Sequence, residues 1–439
     1  MEVLDFITLL VIMAAFFTLI NVKWLRLPST IGLMLLALGL SMFIIVGEWV
    51  FRTLNELATN LMTEYDFSKV LFQVMLSFLL FAGALELDLR KLGEEKWPIL
   101  VLATVGVLIS TFVAGIAIYF LLPFVGISLD FIYCLLFGAL ISPTDPIAVL
   151  AMIKKTTVSK NLESQIAGES LFNDGIGVVV FLTILAIATK GVENLQVLEV
   201  IELFTVEVLG GLALGALLGY LGLNLLRIID NEHTEIEVLV TLSMVLGGAS
   251  IAEMLHVSGP LAMVVMGLFV GRKGRTKKLE DAAGEYVYKF WHLMDEAMNA
   301  ILFILIGLQV IVIKYETDYF YAAGIAIVIV LLARFIGVSV PISVMRIKRK
   351  FPPYTIRILT WSGLRGGISV ALALSLYETA NFETRIVDII ITMTYCVVLF
   401  SIVVQGLTIK KLFEKFNVVN NEERKTPEIA AKPVLKKAK

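Results

Sequence analysis

Apolar runs of about 20 residues recur along the whole chain, and they limit the fold more than any other feature of the sequence. A helix of about 20 residues rises roughly 30 Å, which is the thickness of the hydrocarbon core of a bilayer. Of the 439 residues, 58% are hydrophobic and only 17% are charged, whereas soluble domains carry about 25% charged residues. The composition therefore predicts an all-α polytopic membrane protein in a lipid bilayer, and we expect no nucleic-acid partner.

Thirteen membrane spans are predicted, at 3–20, 27–47, 68–88, 97–122, 130–153, 163–189, 202–229, 236–256, 257–271, 289–313, 318–346, 354–377 and 385–411. Lys and Arg concentrate in the loops that follow the odd-numbered spans. Since positively charged loops stay in the cytoplasm, we expect a multi-pass protein of the cell membrane. Its N-terminus would lie outside and its C-terminus in the cytoplasm.

Two spans carry helix breakers at their centres. The fifth span, 130–153, reads SPTDP at 142–146, and the twelfth, 354–377, reads SGLRGG at 362–367. Proline ends or kinks a helix, and unwound backbone at membrane depth is tolerated only where it lines a cavity or is buried in protein. Broken helices at matching positions of two halves indicate the midplane site of a secondary transporter.

The matching positions divide the chain into two halves with an odd helix between them. We expect a first six-helix repeat at 1–190, a linker helix at 191–235, a second six-helix repeat at 236–411 and a short cytoplasmic tail at 412–439. An odd linker helix turns the second repeat over, so the two repeats are predicted to be inverted relative to each other.

The sixth span, 163–189, carries the polar stretch GESLFND into the membrane. Ser170 and Asp174 are four residues apart and share one face of a helix, as Glu169 and Asn173 do one step round. Ionisable residues inside membrane spans are costly and are functional by default. This stretch is therefore the first candidate for a site.

Asp174, Ser170 and Thr144 of the broken fifth span offer oxygen ligands, which suit a hard cation such as Na⁺, Li⁺ or K⁺. A carboxylate removed from water also favours its protonated form, so a proton would compete with the cation for it. A protein with such a site would exchange the cation for a proton across the membrane. Asp145 is as typical of a helix cap as of a ligand, and Asn173 is more typical of a supporting hydrogen-bonding residue. No cofactor is predicted, because the cation and the proton are transported substrates.

Arg365 lies in the broken twelfth span and needs a partner, since an unpaired guanidinium is untenable in hydrocarbon. We expect Glu169 to form a structural ion pair with Arg365. Arg334 also lies within a span, and the sequence does not name its partner.

Four stretches carry a resemblance to a known family: SPTDPIAVLA (142–151), GESLFNDGIGVVVF (168–181), AEMLHVSGPLAMVVMGLFVG (252–271) and GLRGGISVALALSL (363–376). In this order they closely resemble the monovalent cation:proton antiporter-1 family, the NhaP and NHE type sodium/proton exchangers. The resemblance implies thirteen helices in two inverted six-helix repeats, a homodimer, a part in pH homeostasis, and electroneutral exchange of one monovalent cation, Na⁺ or Li⁺, for one proton. It also implies that Asp174 is the transport carboxylate, with Na⁺ held by Asp174, Ser170 and Thr144.

The third span departs from the family pattern. Many members are similar to LLFEAAL there, whereas this chain reads LLFAGALELDL at 79–89, with Ala82 at the position of the acid. Glu86, one turn later, either takes over as an ion ligand or is an interfacial charge next to Asp88.

Other functions stay open at this point. A K⁺/H⁺ antiporter of the same family has the same motifs. A sodium-coupled solute symporter needs a larger polar cavity, and a channel needs a continuous pore with rings of ligands. An intramembrane hydrolase needs a nucleophile with a base or an HExxH site, but the three histidines form no HExxH, so an enzyme is not predicted.

Overall fold

The structure, a computed structural model, describes residues 3–47, 75–153, 160–190, 197–229, 234–273, 282–312, 316–352, 354–379 and 382–416. Within these ranges the chain is almost entirely helical, and the β-type pairing is a single bridge between Asp145 and Leu364. The α-helices are α1 (Val3–Ile20), α2 (Ser29–Val46), α3 (Leu76–Glu86), α4 (Leu89–Glu94), α5 (Lys96–Val101), α6 (Val107–Leu121), α7 (Phe131–Ile141), α8 (Ile147–Ile153), α9 (Lys160–Lys190), α10 (Val197–Ile228), α11 (Thr234–Met254), α12 (Gly259–Lys273), α13 (Ala282–Leu308), α14 (Thr317–Met345), α15 (Thr355–Ser362), α16 (Gly367–Leu374), α17 (Leu376–Thr379), α18 (Thr384–Phe400) and α19 (Gly406–Lys415). Single π-helical turns at Asn21–Leu25, Leu102–Gly106 and Ser401–Gln405 extend α1, join α5 to α6 and join α18 to α19.

The predicted spans agree with these helices. Nine helical runs in the described ranges are long and apolar enough to cross a membrane, and three shorter apolar helices accompany them. Every one of the thirteen predicted spans overlaps a helix or a pair of half-helices. The beginning of the third span, 68–74, and the tail from 417 onward lie outside the described residues.

Helix α9 is the centre of the bundle. In its apolar segment 72% of the residues are buried, against 17% in α10. It packs against α7, α12, α10 and α5. Because protein surrounds α9, the polar side chains of its GESLFND stretch meet other protein groups instead of lipid.

Helix α10 lies at the periphery. Leu209, Leu217 and Tyr220 point outward from it and are more than half exposed, as expected for side chains that face lipid. Its other face packs against α12, where Gly211 approaches the backbone of Ser258, just before α12, and Gly215 approaches that of Ala262. Small residues allow such close approach between membrane helices, so this glycine stripe serves helix packing.

Both predicted breaks are present. The first break, 142–146, separates α7 from α8, and the second break, 363–366, separates α15 from α16. The two breaks face each other, since Asp145 N donates to Leu364 O over 2.8 Å. This bond satisfies backbone groups that the breaks remove from the helical ladders.

Candidate ion-binding site

Three polar side chains from the first break and α9 form a buried cluster. Thr144 N donates to Asn173 Oδ1 (3.2 Å), and Asn173 Nδ2 donates to Thr144 Oγ1 (2.7 Å). Thr144 Oγ1 also lies 3.0 Å from Ser170 Oγ. Each of the three residues is at most 3% exposed. Asn173 thus fixes the unwound backbone and directs the Thr144 hydroxyl toward Ser170.

Asp174 follows Asn173 on α9 and is 6% exposed. Among the described residues no hydrogen bond and no ion pair holds its carboxylate, and Asp145 adds a like charge nearby. A buried carboxylate without a donor or a cation is unfavourable. Binding of a cation or a proton would therefore stabilise Asp174 more than it would stabilise a carboxylate that already has a partner.

Asp145 is tied to the backbone of both breaks. Its Oδ1 accepts from Ile147 N over 2.8 Å, which caps the start of α8, and its own N–H reaches Leu364. The second break passes so close that a Cβ at Gly366 would overlap Asp145 Oδ2. Asp145 is thus a cap by its contacts, while Oδ2 faces the second break.

The predicted ion pair between Glu169 and Arg365 is wrong. Glu169 Oε1 instead accepts from Arg334 Nη1 of α14 over 2.5 Å, and the two side chains are 1% and 7% exposed. Arg334 also donates to Leu359 O through Nε and Nη2. Two arginines, Arg334 and Arg365, lie within spans, and helical spacing along α9 does not say which of them faces Glu169.

Arg365 is hydrogen-bonded to backbone carbonyls. Its Nη1 donates to Ser142 O (2.8 Å) and to Pro143 O (3.0 Å). The carbonyls at the end of α7 lose their helical partners at the first break and carry the partial negative charge of a helix C-terminus. A buried guanidinium therefore finds hydrogen-bond acceptors there, while the charge of Glu169 acts on it without a direct ion pair. Its backbone N–H donates to Ser401 Oγ.

Glu86 lies at the end of α3 and faces α13. Glu86 Oε1 is 2.7 Å from His292 Nδ1, and His292 Nε2 is 3.7 Å from Glu296 Oε1. The contacts of Thr144, Ser170 and Asn173 given above do not include Glu86. Its role as an ion ligand stays a prediction.

Two polar residues of α13, Asp295 and Asn299, were not predicted from the sequence. Asp295 is half-buried and lies within electrostatic range of Glu86, His292 and Asp145, and Asn299, four residues further along α13, is 4% exposed. The two residues are four apart, so the helical spacing that revealed the α9 site was also the signal for this pair.

A helical membrane protein in which two broken helices meet beside a buried oxygen cluster has the architecture of a secondary transporter. The chain belongs to the sodium/hydrogen exchanger family, because the sequence profile described as "Sodium/hydrogen exchanger, transmembrane" matches residues 11–415. This confirms the resemblance found in the sequence motifs.

Relatives and one solved structure cover nearly the whole chain. The Na⁺/H⁺ antiporter NhaP of Pseudomonas aeruginosa is 46% identical over 417 residues, which are 94% of this chain and 96% of the relative. The Na⁺/H⁺ antiporter NhaH of Halobacillus dabanensis is 33% identical over 428 residues, 94% of this chain and 98% of the relative. The sodium proton antiporter MjNhaP1 of Methanocaldococcus jannaschii has the same fold, with a TM-score of 0.76 at 21% identity over 95% of this chain and 99% of that one.

Proposed function

We propose that this protein exchanges Na⁺ for H⁺ across the cell membrane and that Asp174 carries the two ions in turn. One observation carries the proposal: Asp174 is buried, yet within the described part of the chain nothing donates to its carboxylate or pairs with it. The relatives from P. aeruginosa and H. dabanensis are named Na⁺/H⁺ antiporters, which supports Na⁺ as the cation.

In this proposal Na⁺ is held by the Asp174 carboxylate and the hydroxyls of Ser170 and Thr144. The 3.0 Å separation of the two hydroxyl oxygens supports their convergence on one ion, and oxygen ligands suit a hard cation. Asn173 supports the site by holding Thr144, and Asp145 supports it by capping α8 beside the ion.

The exchange is electroneutral, one Na⁺ for one proton. Asn173, a neutral residue, stands beside Asp174, and Asp145 is engaged with the backbone of α8. A single carboxylate therefore changes partners during the cycle. Asp174 crosses the membrane with either one Na⁺ or one proton bound. The charge that moves is therefore the same in both directions, and a full cycle moves no net charge.

Alternating access follows from the way the site is tied to its surroundings. Glu169 joins α9 to α14, and Arg365 joins the second break to the carbonyls of the first. The breaks, α9 and α14 would thus move together, carrying Asp174 from one side of the membrane to the other. Such rocking of one bundle around a midplane site is the usual mode of transporters with broken helices.

The wider assignments belong to the same proposal. The chain forms two inverted repeats, 1–190 and 236–411, joined by the linker helix at 191–235, and it assembles as a homodimer with its N-terminus outside. K⁺/H⁺ exchange is the nearest alternative, since the same oxygen ligands accept K⁺. A sodium-coupled solute symporter is less favoured, because the polar groups of the site crowd around one small cluster.

Proteoliposomes with an internal pH dye test the proposal. Gradients of Na⁺, Li⁺ and K⁺ are imposed in turn, with the membrane voltage clamped by K⁺ and valinomycin except in the K⁺ experiment. We expect Na⁺-driven proton flux that does not respond to voltage and is lost in Asp174→Asn. The matched control is Asp318→Asn, which removes the same charge from an exposed position in the first turn of α14.

Each other outcome has a distinct meaning. Flux driven by K⁺ but not by Na⁺ would replace the cation in the proposal. Flux that follows the voltage would overturn the one-for-one stoichiometry. If folded protein shows no cation-driven proton flux, the protein is not a cation/proton exchanger, and the sodium-coupled solute symporter becomes the better account.

A further inference from the structure

Lys and Arg side chains from two segments of the chain stand where membrane spans end. Lys96 begins the apolar helical run Lys96–Val125, and Arg346 directly follows the run Thr317–Met345. Both runs are long enough to cross a bilayer, so their ends lie where the hydrocarbon gives way to the lipid headgroups. The cations are thus at the depth of the lipid phosphate groups.

Arg349 holds the two segments together. Its Nη1 donates to Glu94 O over 3.3 Å, and its Nη2 donates to Glu95 Oε1 over 2.5 Å. The Glu95 side chain is only 5% exposed, and its other carboxylate oxygen accepts from Gln165 Nε2 of α9 over 3.5 Å. These contacts fix the turn after α14 beside the junction of α4 and α5, so the cations of both segments belong to one surface.

Acidic side chains leave most of this positive charge uncompensated. Glu95 is engaged with Arg349, Glu94 lies 3.7 Å from Arg90, and Asp88 caps α4 by accepting from Arg90 N. Among the described residues, the cations without an acidic partner within 4 Å are what we call the basic patch: Lys91, Lys96, Arg346, Lys348 and Lys350. All of them except the half-buried Lys91 are exposed.

Two large apolar side chains stand exposed next to these cations. Trp97 is 67% exposed and Ile347 is 83% exposed, and Lys96 Nζ lies 5.9 Å from the centre of the Trp97 ring. Tryptophan is typical of the boundary between headgroups and hydrocarbon, where lysine extends its ammonium toward the headgroups. A small soluble anion would leave Trp97 and Ile347 in water, whereas a lipid would cover them and neutralise the cations together.

We propose that the basic patch, with Trp97 and Ile347, binds the headgroup phosphate of an anionic phospholipid. Clusters of Lys and Arg beside a membrane span attract acidic headgroups, and the acyl chains would lie against the two apolar side chains. The site is separate from the transport carboxylate, since Gln165 precedes Asp174 by roughly 14 Å along the axis of α9. Through Arg349 and Glu95, a bound lipid would hold the end of α14 against the beginning of α9 and so stabilise the fold.

Thermal unfolding of the detergent-solubilised protein with added lipid tests the site without transport. Phosphatidylglycerol should raise the Tm of the wild-type protein, because a ligand of the folded state stabilises it. Phosphatidylcholine, which carries a phosphate but no net charge, should not. In Lys348→Gln/Lys350→Gln the lipid concentration that gives half of the Tm shift should rise roughly fivefold for each charge removed.

Two further variants complete the comparison. Lys96→Gln removes a cation of the other segment and should weaken the lipid effect in the same way. The matched control is Lys190→Gln/Arg385→Gln, which removes two exposed cations at the end of α9 and the beginning of α18, away from the basic patch. This control should respond to phosphatidylglycerol as the wild-type protein does.

The proposal is overturned if phosphatidylcholine stabilises the protein as much as phosphatidylglycerol does, or if folded Lys348→Gln/Lys350→Gln responds like the control. Inorganic phosphate that raises the Tm as strongly as the lipid would also overturn it, because the patch would then be a site for a soluble anion. None of these measurements depends on which ion the protein exchanges.

Discussion

Asn173 holds the unwound first break in place through a single side chain. It accepts from Thr144 N and donates to Thr144 Oγ1, so the backbone N–H and the hydroxyl oxygen of the threonine are satisfied away from water. Buried backbone donors need such partners. The amide therefore decides where the Thr144 hydroxyl points and, with it, the geometry offered to Na⁺.

Asn173→Ala should therefore weaken both the fold and ion binding. Loss of the two bonds leaves the Thr144 N–H unsatisfied, which costs about 1–3 kcal/mol, and we expect the KM for Na⁺ to rise about tenfold. Flux assays and thermal unfolding measure the two effects. Thr183→Ala is the control, because among the described residues this buried hydroxyl of the same helix bonds only to Val179 O one turn earlier. Similar losses in both variants would contradict a special role for Asn173.

The buried pair of Glu169 and Arg334 shows what the sequence could not decide at this scale. That an intramembrane arginine needs an acceptor was predictable from the cost of a buried charge. Which arginine meets the carboxylate depends on how α14 packs against α9, and the carbonyls that satisfy Arg365 appear only once α7 has ended. Polar residue types revealed the site, whereas the pairing required three dimensions.

A double-mutant cycle tests this pairing. Removing one partner of a buried ion pair costs about 3–5 kcal/mol, so Glu169→Gln and Arg334→Gln should each lower the Tm strongly. The combined variant should lose clearly less than the sum of the two, because contacting residues are coupled. The effects of Glu169→Gln and Arg365→Gln on the Tm should be closer to additive. Strong coupling of Glu169 with Arg365, and none with Arg334, would support the ion pair predicted from the sequence instead.

At the scale of elements, the two breaks act as one unit. The sequence predicted both, because the prolines at 143 and 146 and the glycines at 363, 366 and 367 are incompatible with uninterrupted helices or weaken them. The direct bond between the breaks, from Asp145 N to Leu364 O, was beyond its reach, since it depends on contact between residues more than 200 positions apart.

Gly366→Ala should disturb this contact. An added Cβ would overlap Asp145 Oδ2, and overpacking of this kind costs about 1–3 kcal/mol, so we expect a lower Tm and loss of most Na⁺-driven proton flux. Gly324→Ala on α14 is the matched control, since in the part of the chain that the structure describes no neighbouring helix or side chain lies within 4 Å of the added Cβ. Full activity of Gly366→Ala would show that the two breaks can separate without consequence.

For the whole molecule, the apolar runs were sufficient to predict the thirteen spans, because the length of a span is set by the bilayer. They did not reveal that α9 lies at the centre and α10 at the edge. Both helices are apolar, and only packing separates a buried helix from one that faces lipid. Topology in the membrane is likewise a matter of charge distribution, and it stays a prediction here.

Cysteine labelling tests the orientation. In a background with Cys134→Ala and Cys396→Ala, single cysteines are placed at Asp318 and at Lys348, exposed residues near opposite ends of α14. A membrane-impermeant maleimide added to intact cells should label the cysteine at Asp318 and spare the one at Lys348 until the cells are opened. The reverse pattern would turn the topology over, and labelling of both would contradict a spanning α14.

The central claim, that Na⁺ and a proton compete for Asp174, is tested most directly by exchange of radioactive Na⁺ across proteoliposomes at equal pH on both sides. At acidic pH the KM for Na⁺ should rise roughly tenfold for each unit of pH, since two ligands of one site exclude each other by mass action, while the rate at saturating Na⁺ stays constant. Asp174→Asn should show no exchange at any pH. Protons that lower the saturating rate and leave the KM unchanged would contradict competition at a single carboxylate.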